Sequence, residues 1–220
     1  MRDMKLYSIS KRPHIELSEY DWILSKFGMK LTSDIKEADF CYLGGGEDVS
    51  PEFYQEKSVK DHPSVHTNYH RDIQEIPQAQ YAIKKGIPIF GTCRGAQLLC
   101  VLAGGKLVQH QRNPDYIHPM KTAGEDISVT STHHQAQYPF NLNNDDYLIL
   151  GYTENYVGDR YLGAEIKAPQ GLEVEICFYP KIKALAAQPH FEAFFPSRTE
   201  GGKTSLDWIT AQVKKYLLES

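Results

Sequence analysis

Apolar runs alternate with helix-period patterns along this chain. Lys5 to Ile9 predicts a strand. Ser18 to Phe27 predicts a helix, because Tyr20, Ile23, Leu24 and Phe27 fall on one stripe. Phe40 to Leu43 is a short, wholly apolar strand pattern that runs straight into Gly44-Gly45-Gly46. Asp72 to Lys85 predicts a helix, opened by the capping-box pattern Asp72-x-x-Glu75 and stopped by Gly86. Ile87 to Phe90 predicts the next strand, and Ala96 to Leu102 a helix rich in small residues that ends at Gly104-Gly105. This β-α-β-α order predicts an α/β fold of three layers, a mostly parallel central sheet with helices on both faces.

The second half reads as more strand-rich. Ile127 to Thr130, Tyr147 to Leu150, Leu172 to Phe178 and Ile182 to Ala187 are its strands. In the Leu172 strand, Glu173 and Glu175 alternate with apolar residues, which predicts one wet face. Tyr179-Pro180-Lys181 predicts a hairpin-like reversal. Ser205 to Leu218 closes the chain as an amphipathic helix with Leu206, Ile209, Val213, Tyr216 and Leu217 inward. Gln55 to Tyr69 and Gln109 to Glu125 read as long polar loops, the kind that shape binding sites.

The composition narrows the classes. In 220 residues, 41% are hydrophobic and 24% charged, with 24 basic and 28 acidic side chains. That fits one globular domain spanning residues 1–220, with room for a sizeable core. A net charge of −4 leaves no footprint for nucleic acid. No apolar run approaches the ~20 residues of a membrane span, and the first ten residues do not read as a secretion signal, so neither membrane nor export is expected. Four scattered cysteines, Cys41, Cys93, Cys100 and Cys177, point to a reducing, cytoplasmic setting rather than a disulfide scaffold.

One of the four stands apart. Cys93 follows a buried strand inside Gly91-Thr92-Cys93-Arg94-Gly95, and a helix begins at once. This is the cysteine form of a strand–turn–helix nucleophile elbow. The glycines make room for a tight turn, the helix N-terminus favours a thiolate, and the Arg94 N–H is placed to meet an oxyanion. Cys41, Cys100 and Cys177 lie in apolar runs with no such turn and read as packing. A thiol nucleophile needs a base and the base an orienter. Gln188-Pro189-His190-Phe191-Glu192, just past the Ile182 strand, offers His190 and Glu192 for those roles. His62, His66 and His70 are spaced four apart, but Pro63 and the polar context read as a loop rather than a metal-binding helix face. The triple glycine lacks the following Lys-Ser/Thr of a phosphate loop.

Gly-Thr-Cys93-Arg-Gly-Ala-Gln97 and Gln188-Pro-His190-Phe-Glu192 resemble the two signatures of class I glutamine amidotransferase-like proteins. Gly45-Gly46-Glu-Asp48-Val-Ser-Pro51-Glu-Phe-Tyr54 is similar to the glycine loop of their gamma-glutamyl hydrolase branch. Arg71-Asp72-x-x-Glu75, Gly105-Lys-Leu-Val-Gln109 and Thr132-His133-His134-Gln135 resemble gamma-glutamyl-GABA hydrolases within it. The resemblance implies a flavodoxin-like fold and a Cys93–His190–Glu192 triad. It implies an oxyanion hole from N–H groups at Gly45, Gly46 and Arg94, with Gln97 holding the glutamyl group and His133, His134 and Gln135 lining the substrate pocket. Phe191 stands where that family has proline. The reaction so implied is hydrolysis of the gamma-glutamyl amide of a small substrate through a thioester, with no metal and no organic cofactor. Two other readings stay open: a glutaminase subunit supplying ammonia to a synthetase, expected on a separate chain because 220 residues would not hold both, or a binding protein without turnover. Self-association also stays open.

Overall fold

Side chains that alternate along the central strands divide most of the core into two clusters, one on each face of the main sheet, with a smaller third cluster of Val108, Ala136, Leu162 and Ala168 beside them. The computed structural model describes residues 3–10, 18–58, 66–112, 117–130, 132–154, 157–163, 166–168, 171–192 and 204–219. In chain order the elements are β1 (Lys5–Ser8), α1 (Ser18–Phe27), β2 (Lys30–Leu31), β3 (Phe40–Leu43), α2 (Tyr69–Lys85), β4 (Ile89–Thr92), α3 (Arg94–Leu102), β5 (Lys106–Val108) and β6 (His110–Arg112). There follow β7 (Ile117–Thr122), β8 (Ile127–Thr130), β9 (Ala136–Tyr138), β10 (Leu148–Thr153), β11 (Val157–Gly163), β12 (Ile166–Lys167), β13 (Glu173–Tyr179), β14 (Ala184–Ala187) and α4 (Ser205–Val213), which continues as a π-helical turn, Lys214–Leu218.

The main sheet runs β2-β1-β3-β4-β14-β13-β10-β7-β8. Its first five strands are parallel and the rest antiparallel, so β14 is parallel to β4 on one side and antiparallel to β13 on the other. Leu6, Phe40, Tyr42, Phe90 and Leu185 pack with α1 (Tyr20, Trp22, Ile23) and α4 (Ile209, Val213). Their neighbours Tyr7, Cys41, Leu43, Ile89 and Ala186 face the other way, onto α2 (Ala79, Ala82) and α3 (Ala96, Leu98, Leu99). That is the three-layer α/β arrangement expected. Burying a leucine-sized side chain contributes roughly 1.5–3 kcal/mol, so these two layers supply most of the driving force.

Three local expectations are corrected. Helix α2 starts at Tyr69, capped by the Asn68 side chain, which accepts from the Arg71 N–H. Asp72 and Glu75 are instead buried inside the protein. The stretch Gln109 to Glu125 is not a loop throughout, since it carries β6 and β7. In β7 His118 and Met120 point inward while Ile117 and Pro119 are exposed, so a polar residue occupies a core position and hides the strand pattern. The face of β13 bearing Glu173 and Glu175 is dry, and both residues are fully buried. The hairpin-like reversal expected at Tyr179 is present, β13 and β14 pairing antiparallel across a 3-10 turn, Pro180–Ile182, with Lys183 in the left-handed region at φ 47°.

Candidate active site

The parallel strands β1, β3, β4 and β14 all end on the same edge, where ligands gather in open α/β sheets. Cys93 follows β4 directly and caps α3, with φ 52° and ψ −109°. A non-glycine residue in this region is strained, and its neighbours hold it there. The Cys93 N–H donates to the Ala187 carbonyl at 2.8 Å, and its own carbonyl accepts from the Gln97 N–H. Gly95 lies so close to the Leu43 carbonyl that no Cβ fits between them. The elbow is thus pressed onto the end of β3.

The same packing delivers the other expected groups. His190, three residues past β14, is hydrogen-bonded to Cys93 and through Nδ1 to Glu192 Oε1 at 2.5 Å. Its backbone N–H donates to Thr130 Oγ1 at 3.1 Å, which ties it to the end of β8. Burial disfavours a charged imidazole, but the hydrogen bonds to Cys93 and Glu192 outweigh it and push the His190 pKa up to about 11. Phe191 is buried in the α1/α4 core, so the residue in place of proline anchors the His190–Glu192 turn by packing. Burial pushes the thiols of Cys41, Cys100 and Cys177 upward, Cys41 to about 12 and Cys100 to about 11, which keeps them protonated and unreactive.

The glycine loop after β3 closes the other side. A Cβ on Gly45 would stand 2.8 Å from His190 Cε1 and 3.5 Å from Cys93 Cβ, so only glycine lets the loop backbone approach both. Gly46 has φ 135°. A cavity of about 210 Å³ opens over Cys93, lined by Gly46, Asp48, His66, Gln97, His133 and His134 among others. Gln97 donates through Nε2 to the Gln135 carbonyl at 3.0 Å. The structure therefore brings Cys93, His190, Glu192, Gly45, Gly46, Gln97, His133 and His134 to one place. Gln135 is fully buried and is not among the lining residues. Its carbonyl accepts from both Gln97 and His133 and holds them from behind. Tyr54 packs in the core and Tyr69 stacks on Phe53. His66 lines the cavity, His70 is exposed, and His62 lies outside the described residues.

Several residues that hold the site are not apparent from the motifs alone. The Arg94 side chain is fully buried and ion-paired to Asp72 and Glu75. Asp72 also accepts from the Ser50 N–H and hydroxyl, at 3.0 and 2.6 Å. Arg71 joins Glu75 (2.7 Å) to Glu47 (2.8 Å) and reaches the Gly44 carbonyl. The glycine loop and the elbow are thus clamped by one buried charge network. His134 donates through Nε2 to Asp48 Oδ2 at 2.8 Å, binding the His133-His134 turn to the same loop. The Arg-Asp-x-x-Glu spacing was the only hint of this network in the sequence.

An elbow cysteine with a carboxylate-oriented imidazole beside it, under a close-packed glycine loop, is the arrangement that attacks a carbonyl carbon. Residues 25–139 match the family model described as Peptidase C26. The chain belongs to that family. A glutamine amidotransferase-like protein of Rickettsia prowazekii is 47% identical over 74 residues, 34% of this chain and 25% of that protein. A protein of Mycobacterium tuberculosis, named as a glutamine amidotransferase, is 35% identical over 96 residues, 43% of this chain and 30% of the relative. The matched segments thus span between a quarter and a third of these relatives' length. Among solved structures, a glutamine amidotransferase from Thermotoga maritima superposes with a TM-score of 0.61 at 15% identity, covering 88% of this chain and 78% of that one. A structure described as a GMP synthase subunit, from Thermoplasma acidophilum, gives 0.57 at 16% identity over 98% of both chains. At such identities the likeness is one of fold. No helix among the described residues of this C26 chain is long and apolar enough to cross a membrane.

Proposed function

We propose that this Peptidase C26 chain is a cysteine hydrolase that cleaves the gamma-glutamyl amide bond of a small substrate. The observation that carries this reading is the hydrogen-bonded series Cys93, His190, Glu192 at the base of the cavity beneath Gly45. Cys93 gives its proton to His190, and the thiolate attacks the side-chain carbonyl carbon. The N–H groups of Gly46 and Arg94 stabilise the tetrahedral oxyanion. His190 then protonates the leaving amine as the C–N bond breaks, which leaves a gamma-glutamyl thioester on Cys93. His190 takes a proton from water, the hydroxide adds to the thioester, and glutamate leaves as the thiolate is regenerated. The residues that take part require no metal or organic cofactor for these steps.

The test offers wild type and Cys93→Ala a mixed pool of gamma-glutamyl amines and glutamine, with products followed by mass spectrometry. The expected result is glutamate and free amine from the wild type and none from the variant. Full activity in Cys93→Ala would overturn the proposal. The relatives' names favour one second reading, an amidotransferase subunit that passes ammonia to a partner synthetase. It predicts glutamine as the only substrate cleaved, with turnover that rises when a partner protein is added.

A further inference from the structure

Behind the cavity wall, four titratable side chains converge from separate strands and a loop. They are His118 on β7, His133 on the turn after β8, and Glu173 and Glu175 two apart on β13. The side chains of His118, Glu173 and Glu175 are fully buried, and that of His133 is 2% exposed. One donor atom each from His133, Glu173 and Glu175 lies within 4.8 Å of the other two.

The hydrogen bonds decide what those atoms offer. His133 Nδ1 lies 2.9 Å from the Gln135 carbonyl, which can only accept, so Nδ1 carries the proton. In the neutral ring Nε2 then presents a bare lone pair. That atom has no hydrogen-bond partner and faces Glu173 Oε1 at 3.7 Å, lone pair against carboxylate. His118 Nε2 donates to Glu175 Oε1 at 2.8 Å and fixes that carboxylate, while Glu175 Oε2 is buried without a hydrogen-bond partner. An imidazole turned by a backbone carbonyl, and a carboxylate turned by a second imidazole, are the outer contacts that orient metal ligands. Convergent lone pairs in a dry interior are costly unless a cation lies among them.

We propose that His133 Nε2, Glu173 and Glu175 bind one divalent transition-metal ion of the zinc class, with His118 as a positioning residue. One nitrogen and two oxygens suit zinc better than calcium or magnesium, which prefer oxygen alone. Bonds of roughly 2.0–2.2 Å draw the three atoms closer than they now lie, a movement on the scale of rotamer adjustments. Because His133 lines the cavity over Cys93, the ion locks one wall of the candidate active site. The proposal does not depend on which amide the protein cleaves.

The test is equilibrium dialysis of the full chain against zinc chloride at neutral pH, with metal content measured by mass spectrometry. Wild type and Cys93→Ser are expected to take up about one zinc per chain, and Glu175→Gln to bind at least roughly tenfold more weakly. X-ray absorption of the zinc-loaded wild type is expected to show nitrogen and oxygen neighbours only, a readout that stands even if Glu175→Gln does not fold. Absence of saturable zinc uptake by the folded wild type, unchanged affinity in a folded Glu175→Gln, loss of uptake in Cys93→Ser, or a sulfur neighbour would overturn the proposal.

Discussion

The Arg94 guanidinium and the Asp72 carboxylate form an ion pair with no solvent exposure on either side. Arg94 is the residue after Cys93, and Asp72 also holds Ser50 at the far end of the glycine loop. Removing the Asp72 charge leaves the buried guanidinium to Glu75 alone, and breaking a buried pair costs up to about 3–5 kcal/mol. Asp72→Asn is therefore expected to lose stability of that order in urea unfolding. A loss well under 1 kcal/mol would mean that the network is solvated and holds nothing in place.

Charge on His190 makes a second prediction. Its pKa is raised from an ordinary value near 6.5 to about 11, burial being outweighed by the bonds to Cys93 and Glu192. For a raised histidine, the stabilisation is fully present below about pH 6.5 and is lost as pH climbs toward 11. The stability difference between wild type and His190→Gln should shrink as pH rises through that window. By side-chain NMR, the wild-type imidazole should stay protonated well above neutral pH, and Cys93→Ala should lower its midpoint. Equal midpoints in the two proteins would remove Cys93 as the partner.

On the proposed mechanism Glu192, bonded to His190 Nδ1, acts through the imidazole rather than on substrate. Glu192→Gln keeps the side-chain shape but gives up the charged acceptor of the Nδ1 bond. General acid–base help is worth roughly 10²–10⁴ in rate, so kcat on a gamma-glutamyl amide should fall within that range while KM changes little. A fall in affinity with kcat intact would place Glu192 at the substrate instead.

Gly45→Ala tests the close approach of loop and triad. The added methyl would press on the His190 ring at 2.8 Å, and the loop must give or the ring must move. The expected outcome is a large loss of kcat with urea stability within about 1 kcal/mol of wild type, because the strain is local. Retained activity would show that the ring has room the geometry does not display.

How legible the site was in the sequence depended on how local each signal is. The Cys93 elbow was readable because its cause, crowding within five residues, lies in those five residues. His190 and Glu192 were readable because they follow a strand and sit two apart. The clamp was not. Asp72 and Glu75 look like a helix cap, and only the fold shows that their partner is Arg94, about 20 residues on. Glu173 and Glu175 misled for a related reason. Alternating polar and apolar residues normally mark a half-wet strand, but here the polar face meets His118 and His133. Periodicity reports which residues share a face and is silent on what covers that face. Strand β7 carries no strand signal for the same reason, one of its inward residues being His118.

β14 is the last strand among the described residues, yet it lies inside the sheet, between β4 and β13. It places His190 beside a thiol that precedes it by nearly a hundred residues. Until β14 slots in, the elbow has no base, and the Cys93 N–H lacks its Ala187 acceptor. During synthesis the proposed nucleophile thus precedes its base. On the proposed mechanism, reactivity then waits for that strand to complete the sheet, so the fold would act as its own safety catch, and a truncated or half-folded chain would carry a cysteine that cannot cut.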